Sequence, residues 1–161
     1  MRVGTVRLDE FDLGFEVAAT GGGMLLMDEY SCSVLVTTSE YEPALVRFLG
    51  CTQVKFGYPN DEALIGDDLY GDCSYGLWEV FGSDWFDRLQ EKNRARFPDV
   101  NWVKKRHFAF IFHESMGEFL ADEVQVERFG GRFDDMALKA MQGALEAQRI
   151  SFPGLIPEQE I

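Results

Sequence analysis

Between Arg106 and Glu127 the chain reads RHFAFIFHESMGEFLADEVQVE. Phe108, Phe110 and Phe112 alternate with His107, Ala109, Ile111 and His113. A period of two puts three rings on one face of a strand. Both faces are largely apolar, which marks a central strand with neighbours on each side rather than an edge. A second run, Glu118 to Glu127, is rich in Val, Leu and Phe and is separated from the first by Ser115-Met116-Gly117. Three residues ending in Gly suit a hairpin whose last loop residue is left-handed. A chain with such a ribbon at its centre must supply further strands to pair with it and helices to cover it.

That loop length sets a register. Glu114 falls opposite Glu118, His113 opposite Phe119 and Phe112 opposite Leu120. Opposed carboxylates repel, so one holds its proton above its usual range. Beside a histidine, such a pair is a candidate acid–base or cation centre, with His113, Glu114 and Glu118 as its catalytic residues. A two-residue loop, Met116-Gly117, would shift the register by one and dissolve the pair. The bland alternative is a solvated hairpin tip.

The rest of the chain is mostly strand. Val3 to Leu8 and Gly14 to Ala19 read as short strands flanking Asp9-Glu10-Phe11-Asp12. Gly21-Gly22-Gly23 is a turn, and no GK[ST] follows to make it a phosphate loop. Met24 to Thr38 reads as one long β-favouring run. Pro43 precedes another, Ala44 to Phe56, broken by Gly50. Leu77 to Phe81 is a short strand. Ser83 then caps a helix reaching about Asn93, with Asp84 in its first turn and Trp85, Phe86 and Leu89 facing inward. Phe133, Met136, Ala137, Ala140, Met141, Ala144, Leu145 and Gln148 recur at three- and four-residue spacing. They predict a final helix packing one stripe on a sheet. Asp134 and Asp135 at its start and Arg149 at its end suit its dipole. The expected fold class is α+β: a curved antiparallel sheet, partly barrel-like, flanked by two helices. One globular domain spans residues 1–150 and a tail follows over 151–161.

Composition narrows the function. There are 28 acidic and 15 basic residues, a net charge of −13. Phosphate contacts need Lys and Arg, so this balance argues against nucleic-acid binding and suits a basic protein partner. No run of 18 apolar residues offers a membrane span. The opening MRVGTVRLDEFDLGF lacks the apolar core of a signal peptide. Cys32, Cys51 and Cys73 form no short motif, which points to a reducing cytoplasm and buried spectator thiols rather than a disulfide framework.

Gly57 to Tyr75 changes character. GYPNDEALIGDDLYGDCSY is dense in Gly, Asp, Asn and Pro and reads as a long loop, a kind of segment that is often functional. Its candidate ligand residues are Tyr58, Asn60, Asp61, Glu62, Asp67 and Tyr70. Its carboxylates lack EF-hand spacing. His107 and His113 are six residues apart on a strand, roughly 20 Å. They therefore cannot share one metal ion. A metal centre would need His113 with Glu114 or Glu118 and with Asp61 or Glu62. Ser115 and Ser74 offer a Ser-His-acid site only formally, since no G-x-S-x-G elbow is present. His107 itself reads as a hydrogen-bonded structural residue. Nothing in the sequence names a cofactor or demands an oligomer.

Gly57-Tyr58-Pro59-Asn60-Asp61-Glu62, Gly66 with Leu69-Tyr70, Gly76-Leu77 with Glu79-Val80, Ser83 and Trp85, Asn93, and His107-Phe108 with Phe112-His113-Glu114-Ser115 and Glu118 follow one another in a set order. This succession, from Gly57 to Asp122, resembles a family of small uncharacterised proteins. The resemblance carries no activity. It implies that the acidic loop and the hairpin form one site. The family pattern has histidine where Asp67 stands here, aspartate where Glu114 stands, and cysteine where Phe119 stands.

Three functions follow as expectations. The first is a non-catalytic binding protein whose acidic surface takes a basic partner, as immunity proteins take nuclease toxins. The second is a small enzyme with an acid–base or metal-assisted centre at His113, Glu114 and Glu118. The third is a small-ligand sensor with an aromatic pocket built from Trp78, Trp85, Trp102 and the Phe side chains.

Overall fold

Residues 43–57 and 116–128 run antiparallel to each other and bend together, and these two segments build both sheets of the protein. The computed structural model describes residues 5–29 and 32–151. Nine strands are found among them: β1 (Arg7–Glu10), β2 (Met24–Met27), β3 (Cys32–Thr37), β4 (Pro43–Leu49), β5 (Gln53–Gly57), β6 (Gly76–Phe81), β7 (Arg106–Ile111), β8 (Met116–Ala121) and β9 (Glu123–Arg128). Three helices accompany them: α1 (Asp61–Leu64), α2 (Trp85–Arg94) and α3 (Phe133–Ser151). One sheet has the order β1-β6-β7-β8-β5, the other β2-β3-β4-β9, and every pairing is antiparallel. The fold is α+β. The two sheets are open, so the barrel-like closure expected from sequence is not found among the described residues.

The bend lies at a β-bulge. Leu49 pairs with Glu123 and the next pair is Gln53 with Leu120, so Gly50-Cys51-Thr52 faces Ala121-Asp122. Gly50 has φ +59°, and a Cβ there would lie 2.0 Å from an Asp122 carboxylate oxygen. Lys105 holds that carboxylate at 2.8 and 2.7 Å. Gly50 breaks the run as its position in the sequence predicts.

The sheets pack face to face. Val34, Val36, Val46 and Phe48 meet Phe108, Phe110, Phe112 and Phe119 between them. Phe48 and Phe119 stack with ring centroids 3.9 Å apart. The outer face of the four-stranded sheet buries Leu35 and Leu45 under Met136, with Phe133, Ala137 and Ala140 beside it. The α3 stripe is covered only over its first half, since Met141 and Leu145 are 50% and 49% exposed. The outer face of the five-stranded sheet is covered by Leu64, Leu69 and Tyr70 over Val80, Ala109, Ile111 and Met116. Trp85 and Phe86 of α2 cover Leu120 on the same face. The order of layers is loop and short helices, sheet, sheet, helix.

Several expectations are corrected. Ile111 pairs with Met116, and Phe112 N–H donates to the Ser115 carbonyl at 2.9 Å. Glu118 therefore faces Ala109, not Glu114. Neither sequence-predicted loop forms. Gly117 lies inside β8, where a Cβ would come within 2.7 Å of the Phe119 ring and 2.9 Å of Phe56. It serves close packing, not a turn. Met24–Thr38 is two strands, with residues 30 and 31 outside the described set. Gly14–Ala19 forms no strand, only a Val17–Thr38 bridge, because Gly14 turns at φ +74° and donates its N–H to Asp12 Oδ1. β1 begins at Arg7 and runs on through Asp9 and Glu10, which an edge strand tolerates; residues 3 and 4 of the Val3–Leu8 expectation lie outside the described set. The Gly57–Tyr75 segment is not plain loop, since α1 forms within it. Asp84, not Ser83, stands at the α2 cap, while Ser83 Oγ accepts from Trp85 N–H. α3 continues through Ser151, and the remainder of the expected tail lies outside the described residues.

Candidate functional site

Several of the polar residues singled out in the sequence fall into two clusters. The first sits at the β7–β8 loop. Asn60 Oδ1 caps α1 by accepting from Ala63 N–H at 3.2 Å. That cap turns Asp61 toward the loop. His113 Nδ1–H donates to Asp61 Oδ2 at 2.9 Å, and Tyr75 OH donates to the same oxygen at 2.5 Å. His113 Nε2 points the other way, 3.4 Å from Glu114 Oε1. The Tyr75 hydroxyl, then His113, hold the Asp61 carboxyl below its ordinary range. The Asp61 hydrogen bond raises His113, and it also raises Tyr75. The result is a carboxylate-oriented imidazole with one nitrogen turned outward, the arrangement of a general acid–base. Among the described residues no Ser, Thr or Cys hydrogen-bonds to it.

The second cluster is deeper and contains Glu118. Its Oε1 accepts from Tyr70 OH and from His107 Nε2–H, each at 3.1 Å, and its Oε2 from Lys55 at 3.0 Å. His107, then Lys55, push its pKa down to about 2 against the cost of burial. Burial and the Glu118 charge push the Tyr70 hydroxyl well up. The Trp85 ring meets His107 edge-on at 5.0 Å and carries Lys55 Nζ 4.0 Å from its centroid. His107 Nδ1 is buried without a hydrogen-bond partner.

The expected trio is thus divided. His113 and Glu114 adjoin each other, but Glu118 belongs with His107. His107 is hydrogen-bonded as expected, though as a member of a charged network. The two histidines do not share a strand face, since His113 lies in the loop beyond β7. Tyr58 and Glu62 are exposed. Asp67 Oδ1 accepts from Leu69 and Tyr70 N–H, both at 2.8 Å, and so shapes the turn that presents Tyr70. The three tryptophans do not line one pocket: Trp85 and Trp102 line different cavities, and Trp78 packs on the Val80–Ala109–Ile111 surface. Among the described residues no three His, Cys, Asp or Glu side chains are grouped to hold a metal ion.

Lys55, Trp85 and Tyr75 have no local sequence signal for these roles. Lys55 is Glu118's direct cross-strand partner, which only the β5–β8 register reveals.

Beside the first cluster runs a groove of about 640 Å³ between residues 10–17 and 74–77. Half-buried Phe11 and Phe15 form its apolar lining above buried Leu13 and Leu77, and Glu10, Asp12 and Glu16 line it as well. Among the described residues no Lys or Arg pairs with these three carboxylates. Tyr75 belongs to both groove and cluster. No protein-family model, no curated protein and no solved structure matches the chain.

Proposed function

We propose that the protein is a non-catalytic binding protein, and that its groove over residues 10–17 and 74–77 receives a basic, partly apolar segment of a protein partner. The observation that carries this reading is the pairing of an apolar lining with Glu10, Asp12 and Glu16, carboxylates with no Lys or Arg partner among the described residues. A lysine- or arginine-bearing segment would supply those charges while its apolar side chains cover Phe11 and Phe15. The net charge of −13 adds long-range attraction.

The test uses a labelled peptide alternating Lys and Leu, titrated at low and high salt. Binding weakens with salt, and the double variant Glu10→Lys, Glu16→Lys loses about tenfold in affinity. The equal-charge control Glu91→Lys, Asp135→Lys loses far less. Equal losses in both variants would show that net charge alone attracts the peptide and would overturn the groove.

The Asp61–His113 contact favours one alternative, an acid–base centre at the loop. That reading predicts a ligand-dependent rise in Tm that His113→Ala abolishes and Glu10→Lys leaves in place.

A further inference from the structure

Lys55 serves two contacts at once. Its Nζ is 3.0 Å from Glu118 Oε2 and 4.0 Å from the centroid of the Trp85 ring. A carboxylate and an aromatic face set around one point are the two elements that recognise an organic cation. Here that point is filled by the protein's own ammonium.

The two halves of the contact differ in how firmly they are held. Glu118 is fixed from behind by Tyr70 and by His107, whose side chain is only 8% exposed. Trp85 is buried against Phe86 and Leu120. Lys55 comes from β5, an edge strand, on a side chain 55% exposed. The receiving groups are rigid and the occupant is free to swing into solvent. Beside this point opens a cavity of about 720 Å³, whose lining includes Tyr70, Trp85, His107, Glu118, Asp84 and Asp87. Its size is that of a small-molecule site.

We propose that this cavity binds a small organic cation, a primary amine or a guanidinium, which takes the place of the Lys55 ammonium between Glu118 and Trp85. Lys55 is then a tethered competitor that keeps Glu118 paired while the site is empty. One cation replaces another, so the charge beside the carboxylate stays balanced. A neutral ligand that displaced Lys55 would leave Glu118 half-buried and short of a counter-charge. An anionic ligand would meet Glu118, while Asp84 and Asp87, also in the lining, are paired with Arg88 at 3.3 Å and Lys104 at 3.8 Å. This site is separate from the groove and stands or falls without it.

The indole N–H signals of Trp78, Trp85 and Trp102 in ¹H–¹⁵N spectra report on it. The probes are n-butylammonium and methylguanidinium, with n-butanol and butyrate as neutral and anionic isosteres. In the wild-type protein the two cations shift the Trp85 indole saturably, the isosteres do not, and Trp78 stays in place. Lys55→Ala removes the competitor and raises the affinity for n-butylammonium about tenfold. Trp85→Leu, read by ¹H–¹⁵N shifts around Glu118, loses binding. The proposal is overturned if Lys55→Ala binds n-butylammonium no more tightly than wild type, or if n-butanol shifts the Trp85 indole as the amine does.

Discussion

Asp61 and His113 are 52 residues apart in the chain and 2.9 Å apart in space, Oδ2 to Nδ1. The contact is reinforced by the backbone, since Asp61 N–H donates to the His113 carbonyl at 3.2 Å. Together these bonds clip the segment that carries α1 onto the β7–β8 loop, and they set one end of the acid-lined groove through Tyr75.

The clip is pH-dependent. His113 is raised above its ordinary value, chiefly by the bond to Asp61. It stabilises fully below the unfolded pKa near 6.5, and the effect fades as pH rises through the folded value. Asp61 is lowered, chiefly by Tyr75 and then by His113. It stabilises above the unfolded pKa near 3.9, and the effect fades as pH falls through the folded value. The clip is therefore strongest between about pH 4 and 6.5. Asp61→Asn should return the His113 titration toward 6.5 and reduce the fall in Tm between about pH 6 and 8. NMR titration and thermal melts check both. An unmoved His113 titration would contradict the coupling.

Glu118 should matter most where it is charged. Held down to about 2 by His107 and Lys55, it stabilises above its unfolded pKa and loses that effect as pH falls toward 2. Glu118→Gln should cost about 2 kcal/mol near neutral pH and markedly less at about pH 3. Urea melts at the two pH values measure this. An equal loss at both would assign the effect to shape rather than charge.

The cysteines should react unequally. Cys51 is lowered chiefly by the hydrogen bond from Cys32, with the Lys105 charge acting in the same direction. Cys32 is raised by that same pairing and is 2% exposed, and Cys73 is raised by burial. Iodoacetamide near neutral pH should modify Cys51 first and Cys32 last, as peptide mass mapping would show. Lys105→Ala should slow the Cys51 reaction. Earlier labelling of Cys73 would refute the ordering.

Phe119 stacks on Phe48 in the core between the sheets. Phe119→Cys should cost about 3 kcal/mol in urea unfolding, because the removed ring leaves a cavity facing Phe48. Phe119→Leu should cost less. A near-neutral Phe119→Cys would mean that the core closes around the smaller side chain.

What sequence reasoning reaches, and where it stops, follows from how local each signal is. Phe108, Phe110 and Phe112 share a fully buried face because alternation is a property of one strand. The break at Gly50 and the start of α3 are local in the same way. The hairpin register is not. Gly117 looks like a turn glycine, yet its role is to make room for Phe56 and Phe119, and Phe56 lies on another strand. With the register goes the assignment of Glu118, whose partners His107, Lys55 and Tyr70 come from three segments. The hairpin and the 57–75 segment meet through Asp61 with His113 and Tyr70 with Glu118. Which carboxylate serves which histidine depends on pairings that no short stretch encodes.

The bulge at Gly50 and Asp122 has a mechanical meaning. β4 runs through it into β5, and β9 is the continuation of β8, so each sheet holds one end of the same two-stranded ribbon. A disturbance that peels one sheet open is carried through the bend into the other, and no seam lets either sheet come away alone. The slowest amides of both sheets should therefore exchange with solvent through a single shared opening.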